Sequence, residues 1–459
     1  MRTEKDLKLA SRDTLLTIIA EQQAVITELR ERIEELERRG PPRGRPVGMP
    51  GNKYTPKRPR PERTEPPKKR TQGFARRRMR PTRQVVHALD SCPECGTGMT
   101  GGWVHRTREV IEIPLAPAEV IEQVFVARMC ALCRKRRLPH DSLKGVAVGR
   151  QRMGINLVSL IVTLREEGRL PIRSIQQYLR AVHHLKLSVG AIVETIRRVA
   201  RQAQRTVDET LERIRGSPVV HADETGWRED GANGYVWTFS TPTDRYFVRR
   251  GRGKKVVDEV LGESFDGVLV SDFYAAYNHY PGLKQRCWVH LLRDIHELKA
   301  LYPEDTGLVR WAGAVRQLYD RAKTYAEAGG QPAPGYQRMV SHGQLMLEKQ
   351  LLALCRPFSN DDAAPQAKLC RRIERFIKEL FVFVSHPDVP SENNAAERSL
   401  RHLVISRKIS GGTRSEQGTN SKMTLASLLG TWRAKGLNPL SESRNLLVSH
   451  QLLYLSSGS

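Results

Sequence analysis

The chain has 459 residues, 39% of them apolar and 27% charged, with a formal net charge of +26. Length and apolar content allow several domains with real cores, while no run approaches the roughly eighteen apolar residues of a membrane helix and no apolar leader follows Met1. The positive excess points to a polyanionic partner, nucleic acid ahead of an acidic membrane surface, because no amphipathic anchor accompanies it.

Residues 13–39 predict a long helix. Leu15, Ile19, Gln22, Ile26, Leu29, Ile33 and Leu36 recur at alternating spacings of four and three. That seam favours a parallel two-stranded coil with Gln22 as a register residue; a single amphipathic helix lying on its own domain would share the pattern. Residues 40–84 lack periodicity and hold fifteen Lys or Arg against two Glu, half the net charge of the chain. Such a segment cannot bury enough apolar surface to fold alone. It reads as a solvated linker and as an arm that follows DNA phosphates through counterion release, with Arg76, Arg77 and Arg78 as candidate contacts.

Four of the seven cysteines stand in two CxxC pairs, Cys92/Cys95 and Cys130/Cys133. Without a secretory leader this pattern reads as metal binding rather than disulfides. The intervening stretches "REVIEIPL" and "EVIEQVFVARM" alternate apolar and polar residues. The expectation over 85–146 is a zinc ribbon, with four thiolates around one Zn²⁺. Such a closed site is structural, because it leaves no open position for water. Residues 147–216 predict three helices, with Pro171 in the first turn of the second and Ser188 capping the third. Arg197 and Arg198 on that third helix suit a DNA-binding helix-turn-helix, although any three-helix bundle has this outline.

From residue 217 the expected order is three strands, a helix, a strand, a helix, a strand and a helix, the order of a ribonuclease-H-like fold. Its first part covers 217–302, a helical insertion 303–385, and a closing helix and tail 386–459. The fold class is thus a multidomain mixture of α+β and α/β. Asp223 lies in the first strand and Asp272 ends the fourth, and these strands are neighbours in such a sheet. Paired carboxylates there suit Mg²⁺ or Mn²⁺, and two such ions can drive phosphoryl transfer. Singly, each acid is an ordinary strand-end residue. In "SENNAAERSLRHLVISRK" a helix begins, with Ser391 or Asn393 as cap. Asn393, Glu397 and Arg401 then share one face, which makes Glu397 the third candidate ligand, with Glu392 as the alternative and Arg401 aimed at phosphate. An intrahelical Glu397–Arg401 ion pair is the plainer reading. Glu224, by strand alternation, points away from Asp223.

The motifs "HADETGW", "SDFYAAYN", "QRCWVHLLRDI" and "ENNAAERSLRHLVISRK", in this order and behind the CxxC pairs and the coil, resemble transposases of the insertion sequence 66 family. The resemblance runs from about residue 13 to about residue 440. It implies a DDE transposase whose triad falls on Asp223, Asp272 and Glu397, holding two Mg²⁺ (or Mn²⁺) ions. It further implies double-stranded DNA partners (terminal inverted repeats and target), cleavage with strand transfer, and a homo-oligomer, a dimer through the coil. Accessory proteins of the same element and a bacterial cytoplasmic location, on the nucleoid when DNA-bound, follow from the same resemblance. Glu392 departs from the aspartate usual before the two asparagines but keeps the charge, and the tail "SGGTRSEQGTNSKM" is a looser match. Cys287 and His290 form a CxxH similar to one that buttresses the site or contacts DNA in several DDE transposases; two ligands alone make no zinc site. Trp288 is either a platform for an unpaired base or a core residue. Arg407 and Lys408 are candidate phosphate contacts, and Arg249, Arg250 and Arg252 are either further contacts or a solvated strand end. Two rival functions are a non-catalytic regulator derived from a transposase, expected to have lost an acid, and a metal-dependent nuclease without strand transfer.

Overall fold

A computed structural model describes residues 79–113, 116–139, 151–328 and 336–456, with isolated positions before and between them. The expected coil over 13–39 and the basic arm with Arg76, Arg77 and Arg78 fall outside the described residues, except that Gln23, Ala24, Ile26 and Thr27 are helical. The seam residue Ile26 is exposed. Residues 1–74 form one unit and residues 75–459 a second, which holds all the elements described below residue 75 in chain order.

Each CxxC sits in the same tight turn. The Gly96 N–H donates to Cys92 O and the Arg134 N–H to Cys130 O, both at 2.9 Å, and both donors have positive φ. Around the second turn β1 (Arg128–Met129) pairs antiparallel with β2 (Arg136–Arg137). The ladder stops there. Residues 101–113 and 116–127, whose alternation suggested strands, form none, and Val110, Ile113, Val120 and Val124 are exposed.

Three helices follow: α1 (Ile155–Glu166), α2 (Ile172–His183) and α3 (Val189–Arg215). The α3 cap is the expected one, with Ser188 Oγ accepting from the Ala191 N–H at 3.1 Å. The buried stripe of α3, Ile192, Ile196, Val199, Ala200, Ala203 and Val207, recurs at helical spacing. It shares a core with Leu425, Leu428, Leu429 and Trp432 from near the C-terminal end.

The sheet contains β3 (Val219–Glu229), β4 (Ala232–Ser240), β5 (Arg245–Arg250), β6 (Val268–Ser271) and β7 (Lys284–Arg286). Its order is β5-β4-β3-β6-β7, with β5, β4 and β3 antiparallel and β6 and β7 added in parallel. A short α4 (Lys255–Leu261) joins β5 to β6. The helix expected after the fourth strand is a five-residue 3₁₀ turn, Ala275–His279. β3 alternates strictly. Val220 and Ala222 face a core with Trp237, Val257, Leu269 and Tyr277, while Val219 and Trp227 belong to cores on the opposite face.

On that opposite face lie α5 (Trp288–Leu301) and the insertion, α6 (Thr306–Ala328), α7 (Tyr336–Ser359), α8 (Ala367–Arg375) and α9 (Val382–Ser385). The chain returns as α10 (Asn394–Ser410), α11 (Glu416–Ala434) and α12 (Pro439–Ser456). Leu400 and Leu403 of α10 and Met423 and Ala426 of α11 pack on Trp227, Val236 and Phe247 of the sheet. The turn before α11 comes so close to β3 that a side chain at Gly412 (φ +113°) would collide with Arg228 O. No helix among the described residues is long and apolar enough to cross a membrane.

Candidate active site

β3 and β6 run parallel with Val219 opposite Val268 and His221 opposite Val270. Extending that register by one alternation sets Asp223 beside Asp272, on the face that α10 covers. Asp272 lies just past the strand, its Oδ1 accepting from the Tyr274 N–H at 2.8 Å. Below it is an unanticipated anchor, the fully buried Arg286. Its guanidinium donates to Asp272 O at 2.7 Å, Asn278 Oδ1 at 2.6 Å and Glu379 Oε2 at 2.6 Å.

The third acid arrives on α10. Asn393 occupies the cap position, yet its side chain does not cap the helix. It bonds to the sheet: Nδ2 donates to Ala222 O at 2.7 Å, and Oδ1 is 3.0 Å from His221 Nδ1. The geometry makes His221 Nδ1 the donor to that oxygen. The CxxH motif completes the join. Cys287 Sγ accepts from the Asn393 N–H at 3.2 Å, the Trp288 N–H donates to Ser391 O at 2.9 Å, and His290 Nε2 stands 3.4 Å from Glu397 Oε1. Both motif residues therefore hold the start of α10.

The acids feel one another. Burial first, then the charges of Glu224, Asp272 and, more weakly, Glu397, push the Asp223 carboxyl up to about 8. Burial and Asp272 likewise raise Glu224 to about 7, against the opposing effects of Tyr277 and Arg252. Glu224 points to the other face as alternation requires, accepting from Tyr277 O–H at 2.8 Å, with Arg252 3.4 Å away. Glu397 Oε1 is buried without a hydrogen bond. Among the described residues no three His, Cys, Asp or Glu side chains gather closely enough to ligate one ion, at the acids or at the CxxC pairs. At the latter, Thr97, its hydroxyl 3.4 Å from Cys95 Sγ, lowers that thiol to about 7.

Several expected contacts fall elsewhere. Trp288 is fully buried, stacked on Tyr319 with ring centroids 4.8 Å apart, and its indole N–H donates to Leu380 O. It belongs to the core and presents no face to a base. Arg249 and Arg250 pair with Glu229 and Glu259 at 3.2 and 2.5 Å. Arg252 lies over the Tyr274 ring as well as beside Glu224. These strand-end arginines are thus tied to acids or rings. Arg407 is half-buried and donates to Thr225 Oγ1 and Gly226 O of β3, and Lys408 and Arg401 are exposed. Arg197 and Arg198 are half-buried on α3. The tail "SGGTRSEQGTNSKM" brings Thr413 to Trp227, whose indole N–H donates to its Oγ1 at 3.1 Å. Arg286, His221 and Asn393 as a clamp, and Tyr277 were not anticipated; the "QR" before the CxxH was the only local trace of Arg286.

A family model described as "Transposase IS66 family" matches residues 150–421, more than half of the chain and every element from α1 into α11. The chain belongs to that family. The family match contains Asp223, Asp272, Glu397 and the clamp that joins them, but not the CxxC pairs. Two relatives are the uncharacterized proteins y4jO and y4qI of Sinorhizobium fredii. The first is 30% identical over 174 residues, 38% of this chain and 50% of the relative. The second is 24% identical over 318 residues, 62% of this chain and 57% of the relative. The chain spans about half the length of these two relatives.

Proposed function

We propose that this member of the IS66 family is a DDE transposase with a ribonuclease-H-like catalytic domain. It binds the ends of a mobile element and catalyses metal-dependent cleavage and strand transfer on DNA. The observation that carries it is the β3–β6 register, which brings Asp223 level with Asp272, together with the tie of Asn393 to β3 at the start of the helix that carries Glu397. The sheet order, three antiparallel strands extended by two parallel ones, supports the same reading.

The acids fit a divalent cation. They offer hard oxygen donors, burial first and then the neighbouring carboxylate charges push the Asp223 carboxyl up to about 8, and Glu397 Oε1, 3.4 Å from His290 Nε2, has no hydrogen bond. Asp223, Asp272 and Glu397 would hold two Mg²⁺ or Mn²⁺ ions. When bound, such ions lower the pKa of water and offset charge on the phosphoryl oxygens. The protein contributes position. Arg286 fixes the Asp272 backbone, Asn393 and His221 fix the start of α10 against β3, and His290 stands beside Glu397, its Nε2 3.4 Å from Oε1. In cleavage, a water oxygen bonds to phosphorus as the bond to the 3′ oxygen breaks, and that oxygen takes up a proton to become a 3′-OH. In strand transfer that 3′-OH attacks a target phosphodiester and displaces another 3′ oxygen, so the number of P–O bonds is unchanged. Lys408, Arg401 and the 40–84 arm are the candidate phosphate contacts, with Arg407 as a backbone brace. Cys92, Cys95, Cys130 and Cys133 would hold one structural Zn²⁺, and the 13–39 helix would pair protomers.

The test is an assay with labelled element-end DNA, target DNA and Mg²⁺. Cleavage with strand transfer, lost by a factor on the order of 10³ or more in Asp272→Asn while DNA binding persists, supports the proposal, since the ions supply several kcal/mol. Cleavage without strand transfer makes the protein a nuclease, binding without cleavage makes it a regulator, and full activity in Asp272→Asn removes the site.

A further inference from the structure

A second constellation lies on the same sheet face as Asp223 and takes no part in the clamp. It is a cavity of about 390 Å³ between α10, α11 and β5, lined by Arg169, Arg245, Arg398, Arg401, Arg433 and His402 among others, with no carboxylate in its wall. Five guanidiniums from four separate places in the chain converge on it. Arg169 comes from the α1–α2 connection, Arg245 from β5, Arg398 and Arg401 from α10, and Arg433 from α11.

Their charge is poorly answered from within. Arg433 has one acid, Glu167, at 3.2 Å. Arg245 donates to main-chain oxygens, Thr241 O and Asp244 O, while the Asp244 carboxylate is taken by Arg213 at 2.7 Å and Lys435 at 3.2 Å. Arg169 donates to His402 Nδ1 at 3.3 Å, and Arg433 approaches the same atom at 3.3 Å. That nitrogen must then be the acceptor, so His402 is neutral, with its Nε2–H side toward Glu166 at 3.8 Å. Glu166 in turn belongs to buried Lys422 at 2.8 Å. Arg398 and Arg401 make no hydrogen bond or ion pair among the described residues. Burial and the neighbouring Arg398 and Arg433 charges lower the Arg245 pKa despite Asp244, a mark of like charges held together. Arg169 adds a conformational sign: its φ is +55°, a region where glycine is at home and an L side chain is strained, yet the position carries a guanidinium that reaches the cavity.

We propose that this arginine-lined cavity binds a backbone phosphate of DNA. Forked guanidiniums match phosphate oxygens bidentately, and the volume suits a phosphate with part of its sugar. Register sets the place on the sheet. Ser240 and Arg245 stand opposite one another, and Ser240 opposite His221, so Arg245 lies two strands, about 10 Å, from β3. A strand whose scissile phosphate sits at Asp223 thus has a neighbouring phosphate within reach of the cavity. The inference rests on the transposase reading.

The test uses the full chain and a fluorescein-labelled duplex of mixed sequence, with anisotropy read over a range of KCl. Arg398→Ala is the first variant and Arg401→Ala the second, both at exposed side chains, with circular dichroism confirming the fold. The expected result is affinity weakened roughly three- to tenfold and a slope of log K against log salt reduced by about 0.9 in each, the share of one phosphate contact. Arg398→Lys keeps the wild-type slope. Wild-type slopes in both alanine variants overturn the inference and leave the transposase reading standing, because the unaltered chain still binds DNA. No DNA binding by the unaltered chain overturns both. A melting temperature raised by inorganic phosphate in the unaltered chain but not in Arg398→Ala, with DNA slopes unchanged, assigns the cavity to free phosphate and overturns the DNA assignment.

Discussion

Asp223 concentrates the tension between stability and function. Its carboxyl is pushed up to about 8 because burial and the Glu224, Asp272 and Glu397 charges all oppose ionisation. At neutral pH the folded chain therefore holds a proton on Asp223 that the unfolded chain does not, and an amide in its place avoids that cost. Asp223→Asn therefore has a higher melting temperature than the unaltered chain in metal-free buffer, by roughly 2 °C, the shift that about 1 kcal/mol brings in a domain of a few hundred residues. The same variant loses cleavage. Differential scanning calorimetry with chelator present checks the first part, and an unchanged or lower midpoint refutes it. Trp288 makes the opposite case, a residue whose type suggested base stacking and whose position is the core. Trp288→Ala costs about 3–5 kcal/mol. Where Trp288→Phe keeps the fold, the salt slope of DNA binding stays that of the unaltered chain, since no phosphate or base contact is removed.

At the level of elements, the candidate active site depends on how α10 is attached rather than on α10 itself. The helix begins at a cap residue that gives its side chain to β3. Asn393→Ala leaves Ala222 O and His221 Nδ1 buried without that partner, a loss of about 1–3 kcal/mol. Because Glu397 is one turn along the same helix, cleavage falls further than stability, while duplex binding through the basic surface is retained. Urea unfolding and single-turnover cleavage, measured side by side, separate the two effects. If cleavage falls only as far as the unfolded fraction predicts, Asn393 has no positioning role. The β3–β6 register could be anticipated from the apolar runs before each Asp, since parallel neighbours with matched valines place the following acids side by side. The attachment of α10 could not, because His221 and Asn393 are separated by 172 positions and no local periodicity links them.

At the scale of the molecule, α1 is joined to α10 and α11 by a buried ion pair, Glu166 and Lys422, 1% and 3% exposed, with the neutral His402 beside it. Burial alone would raise the Glu166 pKa, but Lys422 and His402 outweigh it and hold the carboxyl at about 2, against an ordinary 4.5. The folded value lies below the unfolded one, so this contribution is complete above about pH 4.5 and disappears as pH falls toward about 2. Urea midpoints should decline through that window by up to about 3 kcal/mol of stability. Glu166→Gln strands Lys422, lowers stability at neutral pH by about 3–5 kcal/mol, and flattens the acid-side decline. An equally steep decline in that variant would place the titration elsewhere. Because His402 lines the arginine-lined cavity, this join also ties together α10 and α11, the two helices that form its walls.

The sequence by itself determined the order of the strands along the chain, the two cysteine turns, the Ser188 cap and the basic character of the chain. These follow from apolar periodicity, turn chemistry and charge, which act over a few residues or sum over all of them. Tertiary structure alone decided that Trp288 is core, that Asn393 clamps rather than caps, that Arg249 and Arg250 are neutralised by acids, and that five scattered arginines share one cavity. Each of these depends on which side chains meet across long separations in the chain, and that is settled by packing α10 and α11 onto the sheet.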